Sequence, residues 1–172
     1  MELFLIRHGE TDENAKGIIQ GWMDTDLNEN GLKQAHDAAE KFNGKIEAIY
    51  SSDLKRAKQT AQQFRAKYPD VPFIEDERLR ERGFGDATGK ERRLYDWDAF
   101  WDPDDPTTIP NVETLDDFNA RVQSFIDELR QSEFSCVLIV THSGTINRFL
   151  DLLGEYEGHT TRGNASVTRL EI

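Results

Sequence analysis

Residues 135–149, "SCVLIVTHSGTINRF", decide the fold of this chain. The run from Ser135 to Thr141 is apolar and rich in β-branched residues, which predicts a buried strand. His142 follows at once, and the segment after it predicts a helix. A buried strand that leads into a helix is the repeating unit of α/β folds.

The rest of the chain repeats this alternation. Apolar residues at helical spacing predict three further helices, beginning near residues 32, 54 and 115. We expect Asp53 to cap the second of these and Thr114 the third, and Pro69 to end the second. Alternating strands and helices predict a mostly parallel sheet covered on both faces. Further strands are predicted at Glu2–Ile6, Glu47–Ser52, Val71–Glu75 and Ser166–Ile172.

The composition is that of a soluble globular domain. Hydrophobic residues make up 37% of the 172 residues and charged residues 31%. No apolar run approaches the ~20 residues of a membrane helix, and the N-terminus does not resemble a signal peptide. The single cysteine, Cys136, lies in an apolar strand and is expected to be a core residue, so we expect a reducing, cytoplasmic location.

The net charge is −12, with 21 basic and 33 acidic residues. A field of this sign opposes binding to nucleic acid and to anionic membranes, so neither is expected as a partner. An anionic substrate would need local cations to overcome this field. Clustered basic residues are therefore more informative here than in a basic protein.

Such a cluster is predicted at the ends of three strands. Arg7 and His8 follow the first strand, Arg56 lies at the start of the helix after the second, and His142 follows the strongest strand. In open α/β sheets, ligands bind beyond the carboxyl ends of the strands. The helix after His142 would add its free N–H groups at the same edge. Each residue alone is more simply structural or exposed, so their convergence carries the prediction of an anion pocket.

Two arginines and a histidine in one pocket favour phosphoryl chemistry. The planar guanidinium matches phosphate oxygens bidentately, and a histidine beside it can attack phosphorus to form a phosphohistidine. Enzymes accelerate phosphate-monoester hydrolysis by up to ~10²¹-fold, whereas one acid–base group supplies only about 10²–10⁴. The charge clamp must therefore contribute much of the rate, and Glu81 is the candidate proton donor for the leaving oxygen.

A zinc site built from His8, Glu10 and His142 is a competing interpretation. It is disfavoured because the helical HExxH spacing is absent and because Arg7 would repel a cation. We therefore expect neither a metal nor another cofactor. The two remaining histidines, His36 and His159, are expected at the surface.

Five segments resemble the histidine phosphatase superfamily, the phosphoglycerate mutase-like enzymes. The first carries the RHG signature of that superfamily. The others resemble the segment before its first helix, its second-arginine segment, its acidic segment and its second-histidine segment. Together they span nearly the whole chain in the right order. The segments are "LIRHGETDEN" (5–14), "GWMDTDLNENGLKQA" (21–35), "IYSSDLKRAKQTA" (49–61), "RLRERGFGDATGK" (78–90) and "VLIVTHSGTI" (137–146).

The resemblance implies a fold, a set of roles and an absence of metal. The fold would be a three-layer α/β/α sandwich over residues 1–172, with a substrate-loop insertion around 79–110. His8 matches the phosphorylated nucleophile, Glu81 the proton donor and His142 the second catalytic histidine. The expected phosphate-binding residues are Arg7, Arg56 and Asn14. The expected further substrate contacts are Gln20, Gly21 and Ser143.

The chain departs from the family pattern near the substrate. Ala87-Thr88-Gly89 replaces an aromatic and an acid before the glycine, "PNVETL" stands where Gly-Glu-Ser is common, and "HSG" replaces the commoner His-Gly-Gly. Arg92 and Arg93 are candidate substrate-binding residues in the long loop. The aromatic residues beside them either form a lid with these arginines or pin the loop to the domain. They are Tyr95, Trp97, Phe100 and Trp101.

We expect a phosphomonoester phosphatase, a histidine acid phosphatase-type hydrolase, acting on a small phosphorylated metabolite. Cofactor-dependent phosphoglycerate mutase is the first alternative. Mutases that resemble this chain tend to be longer and to carry a tail that shields the phosphohistidine, whereas here the last predicted strand is also the end of the sequence. A catalytically silent phosphate-binding or regulatory protein is the second alternative. The sequence does not distinguish sugar phosphates, phosphoglycerates, nucleoside phosphates and cofactor-precursor phosphates, and it carries no signal for an oligomeric state.

Overall fold

The computed structural model describes residues 1–102, 109–155 and 161–172. Its central sheet has five strands in the order β3-β2-β4-β1-β5. The first four are parallel to their neighbours, and β5 runs antiparallel to β1 at one edge. All five predicted strands are therefore present. They are β1 Glu2–Arg7, β2 Ala48–Ser51, β3 Phe73–Glu75, β4 Cys136–Thr141 and β5 Val167–Glu171.

In the described part of the chain, five α-helices alternate with these strands. The shortest, α1, was not predicted. It is closed by a capping box in which the Thr11 hydroxyl accepts from the Asn14 N–H and the Asn14 side chain accepts from the Thr11 N–H. The helices are α1 Asp12–Lys16, α2 Glu29–Lys41, α3 Lys55–Lys67, α4 Leu115–Gln131 and α5 Ser143–Leu152.

The sheet supplies a hydrophobic core on each face, because successive side chains of a strand point to opposite sides. Leu3 and Leu5 of β1 pack on the face covered by α4 and α5. Phe4 and Ile6 pack on the face covered by α2 and α3. The two central strands are thus buried on both faces, and the predicted three-layer α/β/α sandwich with a mostly parallel sheet is confirmed.

Two of the three expected helix termini are confirmed and one is wrong. Thr114 caps α4 by accepting from the Asp117 N–H at 3.0 Å, and α3 ends at Lys67, just before Pro69. Asp53 does not cap α3, whose N-cap residue makes no side-chain hydrogen bond. Its carboxylate instead accepts from Nε and Nη2 of Arg80, at 2.8 and 2.5 Å. A bidentate guanidinium is a stronger partner than one neutral N–H.

The apolar stripe predicted for α2 is buried at every position except the first. Leu32, placed in the core by the sequence pattern, is 45% exposed, whereas Gly31 and Ala35 are buried. Gly31 faces inward because the helix starts against the backbone of Glu10. A Cβ on Gly31 would lie only 2.0 Å from the Glu10 carbonyl oxygen.

The long segment between β3 and α4 is irregular but anchored. It contains short 3-10 turns at Glu77–Leu79, Gly85–Ala87, Arg92–Leu94 and Asp98–Phe100. Some of its aromatic residues are buried in the core against α4, as expected if they pin the loop to the domain, and Trp97 and Trp101 also line the cavity described below. Residues 103–108 of the predicted insertion lie outside the described residues. The buried aromatic side chains are Phe84, Phe100 and Trp101.

The single cysteine is less buried than the sequence indicates. The Cys136 thiol is only partly buried, donates to Glu2 at 3.6 Å, and has its pKa raised to about 11 by burial and by that carboxylate. His36 is exposed, as predicted, and His159 lies outside the described residues. Within the part of the chain that the structure describes, no helix has the length and apolar character needed to span a membrane.

Candidate active site

The carboxyl ends of β1, β2 and β4 meet at one cavity of about 400 Å³. Their parallel register brings Arg7 of β1 level with Thr141 of β4, so His8 and His142 emerge side by side. Ten of the eleven residues predicted for the site line this cavity. The exception is Arg93.

His8 is held rigidly at the base of the cavity. Its N–H donates to the Thr141 carbonyl at 3.0 Å, and its own carbonyl accepts from Asn164 Nδ2 and the Ala165 N–H. Nδ1 lies 2.7 Å from the Gly9 carbonyl oxygen. Because a carbonyl can only accept, Nδ1 carries the hydrogen and Nε2 is left with a lone pair.

The surroundings of both cavity histidines favour the neutral ring. The rings of His8 and His142 lie 5.1 Å apart between centroids. Burial lowers the pKa of each ring well below its usual value, and the nearby Arg56 guanidinium lowers it further. A neutral His8 is nucleophilic, whereas a protonated ring would have no lone pair at Nε2.

His142 occupies the N-cap position of α5. Its Nε2 lies 3.0 Å from Ser52 Oγ, and its buried Nδ1 has no hydrogen-bond partner among the described residues. Ser143, the next residue, accepts from the Arg162 N–H at 3.1 Å through its hydroxyl. The helix therefore begins at the cavity with one ring nitrogen and its positive dipole end available to an anion.

Two buried guanidinium groups flank His8, and in the described part of the chain neither forms an ion pair. Arg56, 1% exposed, donates to the carbonyls of Met23 at 2.6 Å and Gly21 at 2.8 Å. Arg7 donates to the carbonyl of Arg162. The Nε of each has no partner within the described residues. Burial lowers the pKa of Arg7 and lowers that of Arg56 to about 10. Buried cations without an ion-pair partner favour the binding of an anion beside them.

Glu81 faces this cationic group from the long loop. Its carboxylate accepts from the N–H groups of Arg82 and Gly144, each at 3.0 Å. Burial nevertheless raises the pKa of Glu81, which favours the protonated acid. The approach depends on a glycine, because a Cβ at position 144 would lie 2.3 Å from Glu81 Oε1. The "HSG" variant of the family segment keeps that glycine.

Asn14 and Gln20 line the cavity opposite α5. The Gln20 amide oxygen accepts from Thr11 at 3.0 Å and from Thr25 at 2.6 Å. The Asn14 amide oxygen accepts from the Thr11 N–H at 3.2 Å. Because both amide oxygens are engaged by the protein, the amide NH₂ groups are the ends left for a ligand.

Arg92 and Arg93 occupy different environments, although both were predicted to bind substrate. Arg92 lines the outer cavity and lies over the ring of Trp97 at 4.3 Å, and burial lowers its pKa. Arg93 pairs with Glu91 at 2.5 Å, and its side chain is 77% exposed outside the cavity. Consecutive residues of one 3-10 turn cannot both face the same side.

Sequence reasoning missed several residues of the cavity wall. Asn147 lies one helical turn beyond Ser143 on α5, so the helical period could have revealed it. Asp98 lies in the long loop, where no sequence pattern marks it as a cavity residue. Asn164 lies just ahead of β5, and only the antiparallel direction of that strand brings it beside His8. All three line the cavity.

Glu10, the third member of the zinc alternative, uses its carboxylate elsewhere. It accepts from Asn28 Nδ2 at 3.0 Å and Asn30 Nδ2 at 3.1 Å, at the start of α2. Among the residues that the structure describes, no group of three or more His, Cys, Asp or Glu side chains is arranged to hold a metal.

The sequence profile of the histidine phosphatase superfamily (branch 1) matches residues 3–172. This chain belongs to that superfamily. It is 38% identical to the metal-independent phosphoserine phosphatase of Arabidopsis thaliana, over 99% of this chain and 76% of the relative. It is 32% identical to the 2,3-bisphosphoglycerate-dependent phosphoglycerate mutase of Bartonella bacilliformis, over 88% and 80%.

Solved structures agree with the fold. Bacillus stearothermophilus YhfR superimposes with a TM-score of 0.85 at 30% identity, over 99% of this chain and 91% of that one. The relatives include phosphatases and mutases, and membership of the superfamily supports phosphatase activity.

Proposed function

We propose that this chain is a phosphomonoester phosphatase that works through a phosphohistidine at His8. One observation carries the proposal: the free Nε2 of His8 lies in a buried pocket with Arg7 and Arg56, which have no carboxylate partner in the described structure. A phosphoryl dianion would supply the missing charge. Each guanidinium could donate to two of its oxygens.

In the first step, the Nε2 lone pair of His8 attacks phosphorus. The P–N bond forms while the ester P–O bond breaks. Arg7, Arg56 and His142 Nδ1 stabilise the charge on the phosphoryl oxygens. Glu81, whose pKa is raised by burial, gives its proton to the leaving oxygen, and the alcohol departs.

In the second step, water attacks the phosphohistidine. Glu81, now a carboxylate, takes the proton from that water. The P–N bond breaks, its electron pair returns to Nε2, and inorganic phosphate leaves. Glu81 ends protonated and His8 neutral, so the cycle closes without a metal or another cofactor.

The cavity favours a small substrate with charges of both signs. Its volume of about 400 Å³ suits a small metabolite, and its outer part carries the cation of Arg92 and the carboxylate of Asp98. A phosphorylated amino acid would present a carboxylate to the first and an ammonium to the second. The Arabidopsis thaliana relative is a phosphoserine phosphatase, so phosphoserine is the first substrate to test.

The decisive experiment is a screen of phosphorylated metabolites for phosphate release by the wild-type protein and by His8→Ala. We expect the variant to lose at least about 10⁴-fold in kcat, as nucleophile variants do elsewhere. His36→Ala, an exposed histidine, is the matched control and should retain full activity. Vanadate should inhibit, and a chelator should have no effect.

A second arm identifies the intermediate and the alternatives. Rapid quenching into alkali should trap radiolabelled phosphate on the wild type and not on His8→Ala. Efficient interconversion of phosphoglycerates without phosphate release would establish a mutase. Ligand binding without any turnover would establish a silent phosphate-binding protein. Either result would overturn the proposal.

A further inference from the structure

The segment that carries Glu81 is held by side chains. It runs from Arg78, inside the 3-10 turn Glu77–Leu79, to Glu81, and belongs to no strand or α-helix. Buried carbonyls in such a segment lack the regular partners of secondary structure. Here every carbonyl from Arg78 to Glu81 accepts from a side chain of β4, α4, α5 or Trp22.

One residue of α4 provides half of these hydrogen bonds. Arg121 Nη1 donates to the carbonyls of Arg78 at 2.7 Å and Arg80 at 2.8 Å, and Nη2 donates to that of Glu81 at 2.9 Å. The fixed geometry of the guanidinium therefore sets the relative positions of three carbonyls in a four-residue segment. Lysine could not do this, because its single ammonium has no fork.

Glu113 fixes Arg121 in turn. Its two carboxylate oxygens accept from Nε at 2.6 Å and Nη2 at 2.9 Å, and the side chains of the pair are 17% and 10% exposed. The same carboxylate accepts from the Gly83 N–H at 2.9 Å, and the Glu113 N–H donates to the Gly83 carbonyl. Glu113 thus holds both Arg121 and the backbone of Gly83, two residues beyond Glu81.

We propose that Arg121, held by Glu113, is a positioning residue that sets the Glu81 carboxyl at the leaving oxygen of the substrate. This inference rests on the proposed function. Arg121 donates to the backbone of Glu81 and lines no part of the cavity, so it acts through the placement of the acid. The carboxyl itself then reaches the N–H groups of Arg82 and Gly144.

The test compares two leaving groups. An alkyl monoester such as phosphoserine needs a proton on its leaving oxygen, whereas p-nitrophenyl phosphate releases a stable anion. We expect Arg121→Gln to lower kcat/KM about 30-fold for the alkyl ester and less than about threefold for the aryl ester, a part of the 10²–10⁴ that a general acid supplies. Glu81→Gln should show the same bias more strongly, and Arg121→Lys should resemble Arg121→Gln.

The control is Arg130→Gln, the same change at a half-exposed position of the same helix. It should leave kcat/KM unchanged for both substrates. An equal loss on both substrates with Arg121→Gln would reduce Arg121 to a structural residue, and no loss on either would also overturn the inference. If Arg121→Gln does not fold, Glu113→Gln decides the matter, because it keeps the three carbonyl contacts and should show a weaker bias of the same sign.

A pH profile separates this inference from the proposed function. The Arg121 charge lowers the pKa of Glu81, so its removal should move the alkaline limb of kcat/KM for the alkyl ester to higher pH. A profile unchanged from the wild type would contradict a role through Glu81. If Glu81→Gln itself shows no leaving-group bias, the assigned proton donor is wrong and the proposed mechanism fails at that step.

Discussion

The inner and outer ends of the cavity hold their arginines in opposite ways. Arg56 at the inner end is 1% exposed and is locked by two backbone carbonyls. Arg92 at the outer end is exposed to solvent and lies over the ring of Trp97. A preorganised cation stabilises charge without reorganisation during the reaction, whereas an exposed one mainly selects a binding partner. We infer that the inner end performs the chemistry and that the outer end chooses the substrate.

The largest effect should come from the inner end. We expect Arg56→Lys to lower kcat/KM by about 10²–10³-fold on every monoester alike, because one ammonium cannot replace a bidentate fork. Steady-state kinetics on aryl, alkyl and sugar phosphates measure this. Arg65→Lys, at an exposed position of the same helix, is the control. A loss confined to some substrates would break the assignment of the inner end to chemistry.

Gly144→Ala should lower kcat by about 10–100-fold through displacement of the acid. The new methyl group would lie 2.3 Å from Glu81 Oε1 and 2.5 Å from the Trp101 ring. Such overpacking should also cost about 1–3 kcal/mol of folding free energy, seen as a lower Tm. Gly163→Ala is the control, since nothing lies within 4 Å of its Cβ position. An unchanged kcat would show that the close approach is unnecessary.

The pH dependence of kcat/KM should test whether Glu81, at the inner end, is the proton donor. The first step needs protonated Glu81, whose pKa is raised by burial, so kcat/KM for an alkyl ester should be maintained above the usual carboxyl range and then fall about tenfold per pH unit. The His8 pKa is lowered, so loss of the nucleophile on acidification should begin only below the usual histidine range. An alkaline limb that survives in Glu81→Gln would assign it to another group.

The smallest effect should come from the outer end. We expect Arg92→Gln to raise KM about fivefold for monoesters that carry a carboxylate and to leave p-nitrophenyl phosphate unchanged, in keeping with one exposed charge contact of about 1 kcal/mol. Arg93→Gln, which changes the adjacent residue outside the cavity, should have no effect. If both variants behave alike, the outer end has no selective function.

The inner end was largely predictable from the sequence because one rule of geometry governs it. Parallel strands place their carboxyl ends at the same edge, so Arg7, His8 and His142 had to converge once β1 and β4 were recognised. Arg56 followed, since its helix starts at the end of β2. Sequence order alone therefore indicated the cationic pocket.

The rest required three-dimensional information of other kinds. The direction of β5 cannot be read from its composition, so the approach of Asn164 to His8 was invisible. Arg92 and Arg93 are identical, adjacent residues, so the sequence does not distinguish their roles. The geometry of the 3-10 turn places only Arg92 in the cavity wall. Asp53 was misassigned because a distant arginine competes with the local N–H of the helix, and the sequence does not show which partner wins.

The hydrogen bonds from Asn164 and Ala165 to the His8 carbonyl link residues 156 and 157 positions apart in the chain. During synthesis His8 emerges from the ribosome early. Its contacts with Asn164 and Ala165 cannot form until nearly all of the chain has been synthesised. A nascent or prematurely terminated chain that ends before residue 162 lacks these contacts and also the Arg162 carbonyl that accepts from the Arg7 guanidinium. Truncated products should therefore be inert toward phosphoesters in the cell.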